Sequence, residues 1–319
     1  MGEKKVKERK PVKWSKRIPA IVIFYIMIVI GIGLLLSPML EHSVITNASR
    51  QFTSVSFSGE QLAENIRNAG YFEVETDIVI PQLPEVLQNL PNIDNGNVIG
   101  IISIERVGVF LPIFHGATKV NLLAGAGTMH YDQVMGEGNY PLAGHHMSDS
   151  SLLFGPLLDM RMGDLVQLTD RRSLYTYRVV STELVHQSRV DILDSTKIPT
   201  VTLFTCDTSN ISTNNRFVVT AELIDITSLD AIGLTADGNM IITSKERGNP
   251  YLTTFQTMND ISISGGRQNG ILHWILLIAS ISLAISVFGI LLFTKIEKRY
   301  RYVFAESDES EQRVYPQSR

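Results

Sequence analysis

The sequence predicts a β-dominated domain, a small closed or nearly closed barrel, carried between two membrane-spanning helices. Three observations point there. Two runs, Ile18–Leu36 and Ile271–Phe293, hold no charged residue over about the length that crosses a bilayer core as helix. Each is flanked on one side by a basic cluster. Between them, from Val98 to Ile224, short β-branched runs alternate with turn residues, and few stretches have helical periodicity.

Charge and cysteine content narrow the function. Of the formal charge of −4, residues 1–17 contribute +6 and residues 295–319 contribute +1, so residues 18–294 carry −11. An acidic middle argues against nucleic acid as the partner. The single cysteine excludes an internal disulfide scaffold and a cysteine-rich zinc site.

The elements follow in order. Residues 1–17 form a basic segment, which the positive-inside rule keeps in the cytoplasm, and residues 18–37 form the first span. A cleaved signal peptide is the rival, but the run exceeds an ordinary h-region, and Leu36-Ser37-Pro38-Met39 is a poor cleavage site. Residues 38–97 read as an extracellular stalk, with a helical stretch at Glu60–Asn68 and a turn at residues 93–96 after Pro81, Pro84 and Pro91. Residues 98–225 make the barrel. Its expected strands are Val98–Ile104, Leu165–Thr169, Leu174–Leu184, Thr200–Thr205 and Arg216–Ile224, with a tight turn at Asp170–Ser173 and a short helix near Ser151–Met160. Residues 226–270 read as a second extracellular linker, and 271–293 as the second span. The basic residues after it place the tail, 294–319, in the cytoplasm with the N-terminus.

Three side chains can carry chemistry. Cys206 closes the β-branched run Thr200–Cys206 and precedes a polar loop, as a nucleophile presented at a strand end would. Its bland alternative is a small buried hydrophobe. Outside the cell, however, an unpaired thiol is exposed to oxidation. Arg216 opens the next strand ten residues on, so a hairpin can return its cation beside the sulfur. In Tyr140–Met147, His145 and His146 follow Gly144, and one imidazole can exchange a proton with a thiol and a leaving amine. Neighbouring residues on a strand point apart, so only one histidine can face the cysteine. Surface histidines without function are the alternative. Two adjacent histidines without a third ligand make a weak metal site.

With these residues in place, the chain resembles the sortases, membrane-anchored cysteine transpeptidases of Gram-positive bacteria. Thr202-Leu-Phe-Thr-Cys206 is similar to the family's TLxTC motif, Arg216-Phe-Val-Val to its arginine strand, and Leu142-Ala-Gly-His145 to its histidine segment. Further likeness runs through Ile104–Gly116, Leu123–Met129, Met135–His146 and Leu153–Leu157, and is strongest to the class A, housekeeping type. The resemblance implies an eight-stranded barrel in which His145, Cys206 and Arg216 are catalytic. Cys206 would attack the Thr carbonyl of an LPXTG-type sorting signal and release Gly. An amino group of a lipid-linked peptidoglycan precursor would then take the acyl group, anchoring a surface protein to the wall. Thr205 would assist the oxyanion site or the substrate, and His146 would be a neighbour of the site. No cofactor is implied.

Two departures qualify the likeness. A C-terminal span is more typical of pilus-polymerising class C enzymes, but their Asp-Pro-aromatic lid motif does not occur in residues 39–97, so an unlidded site is expected. The Val109–Asn121 region lacks the acidic residues by which some class A members bind calcium, so no metal is expected. The alternative functions are a pilin polymerase with a lysine acceptor and a non-enzymatic extracellular binding domain. The chain does not read as sortase cargo, because no LPXTG precedes Ile271.

Overall fold

Eight strands close a barrel in the computed structural model: β1 (Val98–Ile104), β2 (Val109–Phe114), β3 (Ala126–Thr128), β4 (Asn139–Ala143), β5 (Leu165–Thr169), β6 (Ser173–His186), β7 (Thr200–Cys206) and β8 (Asn215–Ser228). The structure describes residues 18–53, 57–74, 81–206, 214–229, 233–234, 240–241 and 249–266, with isolated positions from 277 to 295. Around the barrel the order is β1-β2-β3-β4-β7-β8-β6-β5, returning to β1. Most neighbours are antiparallel, but β2 with β3 and β4 with β7 run parallel.

Side-chain alternation fills the barrel. Ile102, Ile104, Ile113, Leu142, Val166, Leu168, Tyr177, Leu203 and Val219 are buried in one continuous core. The β5–β6 hairpin forms the expected tight turn, in which the Asp170 carboxylate accepts from the Arg172 and Ser173 amides at 2.9 and 2.8 Å. The expected helix near 151–160 is instead a turn followed by a short 3-10 segment, Gly155–Asp159, with Pro156 in its first turn.

Three strands of the barrel escaped the sequence reading, for reasons visible in their pairing. β2 and β4 each contain a proline. Pro112 pairs with Ile101 on the β1 side, while β3 pairs with β2 only at Ile113 and Phe114, so no ladder bond is lost on that side. β3 is three residues long, too short to show an alternation.

Several of the described segments flanking the barrel pack on it. Helix α1 spans Ile18–Thr53 and runs through Pro38, well past the apolar run. Its later half is amphipathic: Val44, Ile45, Ala48 and Phe52 join the main core, and the Phe52 ring meets Phe114 edge-on at 5.4 Å. Arg171 donates to the Thr53 carbonyl at this helix's end, at 3.1 Å. Helix α2 (Gly59–Asn68) begins with a reciprocal capping box between Ser58 and Gln61 and buries Leu62. Asn65 ties it to β1 by donating to the Val98 carbonyl at 2.7 Å. A further helix, α3 (Leu83–Asn89), buries Val86. Parts of the expected stalk are therefore packed on the barrel, through Leu62, Asn65 and Val86. So is part of the expected second linker: helix α4 (Pro250–Gly266) buries Leu252 and Phe255 with Ile101, Leu174 and Leu229.

Ser37–Gly270 make up one unit, and 1–36 with 271–319 another. Helix α1 is long and apolar enough to cross a membrane. The expected second span, 271–293, lies outside the described residues apart from isolated positions, as do the termini 1–17 and 296–319.

Candidate active site

The register of the sheet brings the three candidate residues to one end of the barrel. Cys206 is the last residue of β7, and Arg216 in β8 is its direct antiparallel partner. β4 runs parallel to β7, and their last pair is Ala143 with Phe204. His145 lies two residues past the end of β4, and Cys206 two residues past Phe204. The chains stay together over that interval, because the Gly144 amide donates to the Phe204 carbonyl at 3.2 Å. The Thr205 hydroxyl donates to the Gly144 carbonyl at 2.8 Å.

Period-two alternation sets the face. Leu142, Leu203 and Val219 belong to the barrel interior. Ala143, Phe204 and Val218 therefore lie on the outer wall, and they form a separate apolar cluster with Ala117, Leu122 and Val185. Cys206 and Arg216 each stand two residues from a member of this cluster in the same strand and share its face, and His145 follows Ala143 by two residues, just past the end of β4. Met129, Ile192 and Leu193 pack at its edges. The arrangement is an apolar floor on the outside of the barrel that ends at a thiol, an imidazole and a guanidinium.

Burial controls the electrostatics. The Cys206 thiol is 6% exposed, and burial raises its pKa above the ordinary thiol value, while the Arg216 charge pulls it back. His145 is 3% exposed, and burial lowers its pKa to about 4. At neutral pH both groups are therefore uncharged in the unliganded site, with the proton on sulfur. Arg216 is held by its own strand end, donating to the Asn215 carbonyl at 3.2 Å and to the Gln187 side-chain oxygen at 3.3 Å.

The two histidines differ in what they touch. His146 Nδ1–H donates to the Cys206 carbonyl at 3.0 Å; a carbonyl can only accept, so this contact requires the Nδ1-protonated tautomer. His145 Nδ1 is buried with no hydrogen-bond partner. His146 thus fastens the end of β7, and His145 keeps a ring nitrogen uncommitted. Thr205 is likewise engaged, its hydroxyl proton given to the Gly144 carbonyl. Gly144 is required by packing: a Cβ there would lie 2.4 Å from the Phe154 ring. Phe154 in turn donates its amide to the His145 carbonyl at 3.0 Å. Gln187 carried no signal in the sequence, and Phe154 only that of the Leu153–Leu157 likeness, which gave it no role. Among the described residues, no group of three or more His, Cys, Asp or Glu side chains is arranged to hold a metal ion.

The His145 shift has a stability consequence. Unfolded, this histidine binds its proton near pH 6.5; folded, it resists protonation until about pH 4. The unfolded state therefore binds more protons in this window, so stability is full above pH 6.5 and falls as pH drops toward 4, by about 3 kcal/mol from this group. Denaturant melts from pH 7 to 4 should show this loss, and His145→Gln should remove that part of the slope.

The Sortase domain family model matches residues 102–224. Sortase A of Listeria monocytogenes is 39% identical over 198 residues, covering 62% of this chain and 88% of that protein. Sortase A of Bacillus anthracis is 37% identical over 144 residues, covering 45% of this chain and 67% of that protein. The crystal structure of the Listeria sortase A matches at 40% identity and a TM-score of 0.41, covering 49% of this chain and 97% of the other. A relative matched over most of its own length, and a family-model match that contains the cysteine, histidine and arginine motifs, settle the family: the chain belongs to the sortases, a family of cysteine transpeptidases.

Proposed function

We propose that this sortase anchors surface proteins to the cell wall, with Cys206 as nucleophile, His145 as proton carrier and Arg216 as electrostatic support. The observation that carries the reading is the direct pairing of Cys206 with Arg216; His145, two residues past the last β4–β7 pair, is consistent with it. An LPXTG-type peptide lies extended along the apolar floor, its Leu and Pro against Phe204, Ala143 and Val218. Cys206 sulfur attacks the Thr carbonyl carbon as its proton passes to His145. Arg216 stabilises the charge that develops on the carbonyl oxygen. Collapse breaks the Thr–Gly bond, and the departing Gly nitrogen takes the proton from His145. The resulting thioester is attacked by an amine of a lipid-linked peptidoglycan precursor, whose proton returns through His145 to the sulfur.

Thr205 and His146 act as positioning residues in this scheme. Thr205 holds Gly144, and with it the histidine segment, against β7; His146 fixes the Cys206 carbonyl. Incubating the full chain in detergent with an LPXTG peptide and candidate amines, and weighing the products, tests the reaction. A product joined through Thr to the amine supports it; intact peptide under all conditions contradicts it.

The protein crosses the membrane twice in this reading, with both termini cytoplasmic and the barrel outside. The supports are the apolar helix at 18–37 and the basic clusters beside both apolar runs. Two anchors would fix the barrel's height near the membrane, where sorting signal and lipid-linked acceptor both arrive. Deleting residues 271–319 should therefore slow wall anchoring in cells while leaving peptide cleavage in detergent unchanged, which surface labelling and a peptide assay can compare.

A further inference from the structure

Arg216 has a strand on each side of it. Its partner in β7 is Cys206, and its partner in β6 is Val185, a member of the apolar floor. Gln187 follows the last residue of β6. Its amide donates to the Asn214 carbonyl at 2.7 Å, so the β6–β8 pairing continues one bond past the strand. The chain then turns, with the Arg189 amide donating to the His186 carbonyl at 2.9 Å. Gln187 thus has a fixed backbone and an exposed side chain. That side chain reaches Arg216: its Oε1 accepts from Arg216 Nη2 at 3.3 Å, while Arg216 Nη1 donates to the Asn215 carbonyl at 3.2 Å.

We infer that Gln187 is a positioning residue for the reaction: it sets the plane of the Arg216 guanidinium beside the Cys206 sulfur while adding no charge of its own. The inference rests on the role proposed above for Arg216. A guanidinium is planar, with its terminal nitrogens fixed relative to each other, so an acceptor on each of the two defines the plane. One acceptor is the main chain beside Arg216 itself. The other comes from a different strand end, 29 residues away in the chain. An arginine side chain is otherwise rich in rotamers, and a donor already aimed stabilises an oxyanion better than one that must be ordered during the reaction. Both bonds are long for N–H···O and Gln187 is solvated, so its share is smaller than that of the arginine.

The amide also matters by what it is not. A glutamate at this position would hold the fork more strongly, through a charge-assisted bond. It would at the same time offset the positive charge that a developing oxyanion needs and that opposes the effect of burial on the Cys206 thiol. A neutral acceptor orients the cation without that penalty.

The test uses the full chain in detergent and three variants, each with a thermal melt. Gln187→Met keeps the length and loses the acceptor, Gln187→Glu keeps an acceptor and adds charge, and Gln187→Ala removes both length and acceptor. Two readings are taken: steady-state cleavage of an LPXTG peptide, and the pH profile of Cys206 labelling by iodoacetamide. Losing the acceptor should lower kcat roughly tenfold in Gln187→Met and Gln187→Ala alike, less than the loss of a whole oxyanion donor, with KM within about twofold and the labelling profile unmoved. Gln187→Glu should shift the labelling profile to higher pH, slowing labelling near neutrality roughly threefold, and should lower kcat as well. A side chain that merely closed the end of β6 would give another order: Met and Glu, both of similar length, would be tolerated, and only Ala would melt early. Wild-type kcat in Gln187→Met, or an unmoved labelling profile in Gln187→Glu, overturns the inference. If Gln187→Glu moves the profile while neither wild type nor any variant turns over the peptide, the coupling of Gln187 to Arg216 and the sulfur stands, and the assignment of the donor is what fails.

Discussion

Cys206→Ala is expected to reduce LPXTG cleavage to background while leaving the barrel folded. The substitution removes one sulfur from a side chain already small, at the end of a strand whose pairing with β8 is made by backbone atoms. Losing that buried atom should cost about 1 kcal/mol, within what a domain of this size tolerates. The chemical loss is of another order. This is the only cysteine in the chain, so no second thiol can form the acyl intermediate. Removing a nucleophile from a well-studied serine protease costs on the order of 10⁶ in kcat. A peptide assay paired with a thermal melt checks both halves: cleavage at the wild-type rate would remove Cys206 from the mechanism.

Arg216→Ala should be nearly as damaging, by a different route. The guanidinium cannot accept a proton under working conditions, so its contribution is to charge. Losing one donor to an oxyanion typically costs about 2.7–4 kcal/mol, or roughly 10²- to 10³-fold in kcat. The same cation lowers the Cys206 pKa against the effect of burial. Without it, the thiol should hold its proton to higher pH, and the pH profile of iodoacetamide labelling should move upward. Arg216→Lys keeps the charge but loses the planar fork that engages Gln187 and the Asn215 carbonyl, so it should restore labelling more fully than turnover. A profile that does not move in Arg216→Ala would separate the arginine from the sulfur.

The strands read most accurately from sequence are those whose side chains are covered on both faces or that sit in a hairpin. β1 and β7 are rich in β-branched residues and β5 is a short run closed by the Asp170–Ser173 turn, so their bounds follow from the residues. β2 and β4 were hidden by Pro112 and Pro141, which end a strand pattern in sequence but sit where the short β3 does not pair: it meets β2 only at Ile113 and Phe114, and β4 only at Leu142 and Ala143. The Cys206–Arg216 pair was legible because a hairpin joins neighbours in sequence. The choice between His145 and His146 came from the family resemblance alone, since adjacent histidines are alike in chemistry; in the structure they differ by the bond from His146 to the Cys206 carbonyl, a contact across 60 residues.

The central claim is that the Cys206 sulfur becomes acylated by the Thr of the sorting signal. Intact-mass measurement of the full chain, quenched in acid during turnover of an LPXTG peptide in the absence of amine, tests it most directly. The account predicts an added mass equal to the peptide up to and including Thr, mapped by digestion to Cys206 and lost when an amine acceptor is supplied. Turnover with no adduct under any quench, or an adduct on another residue, would contradict it.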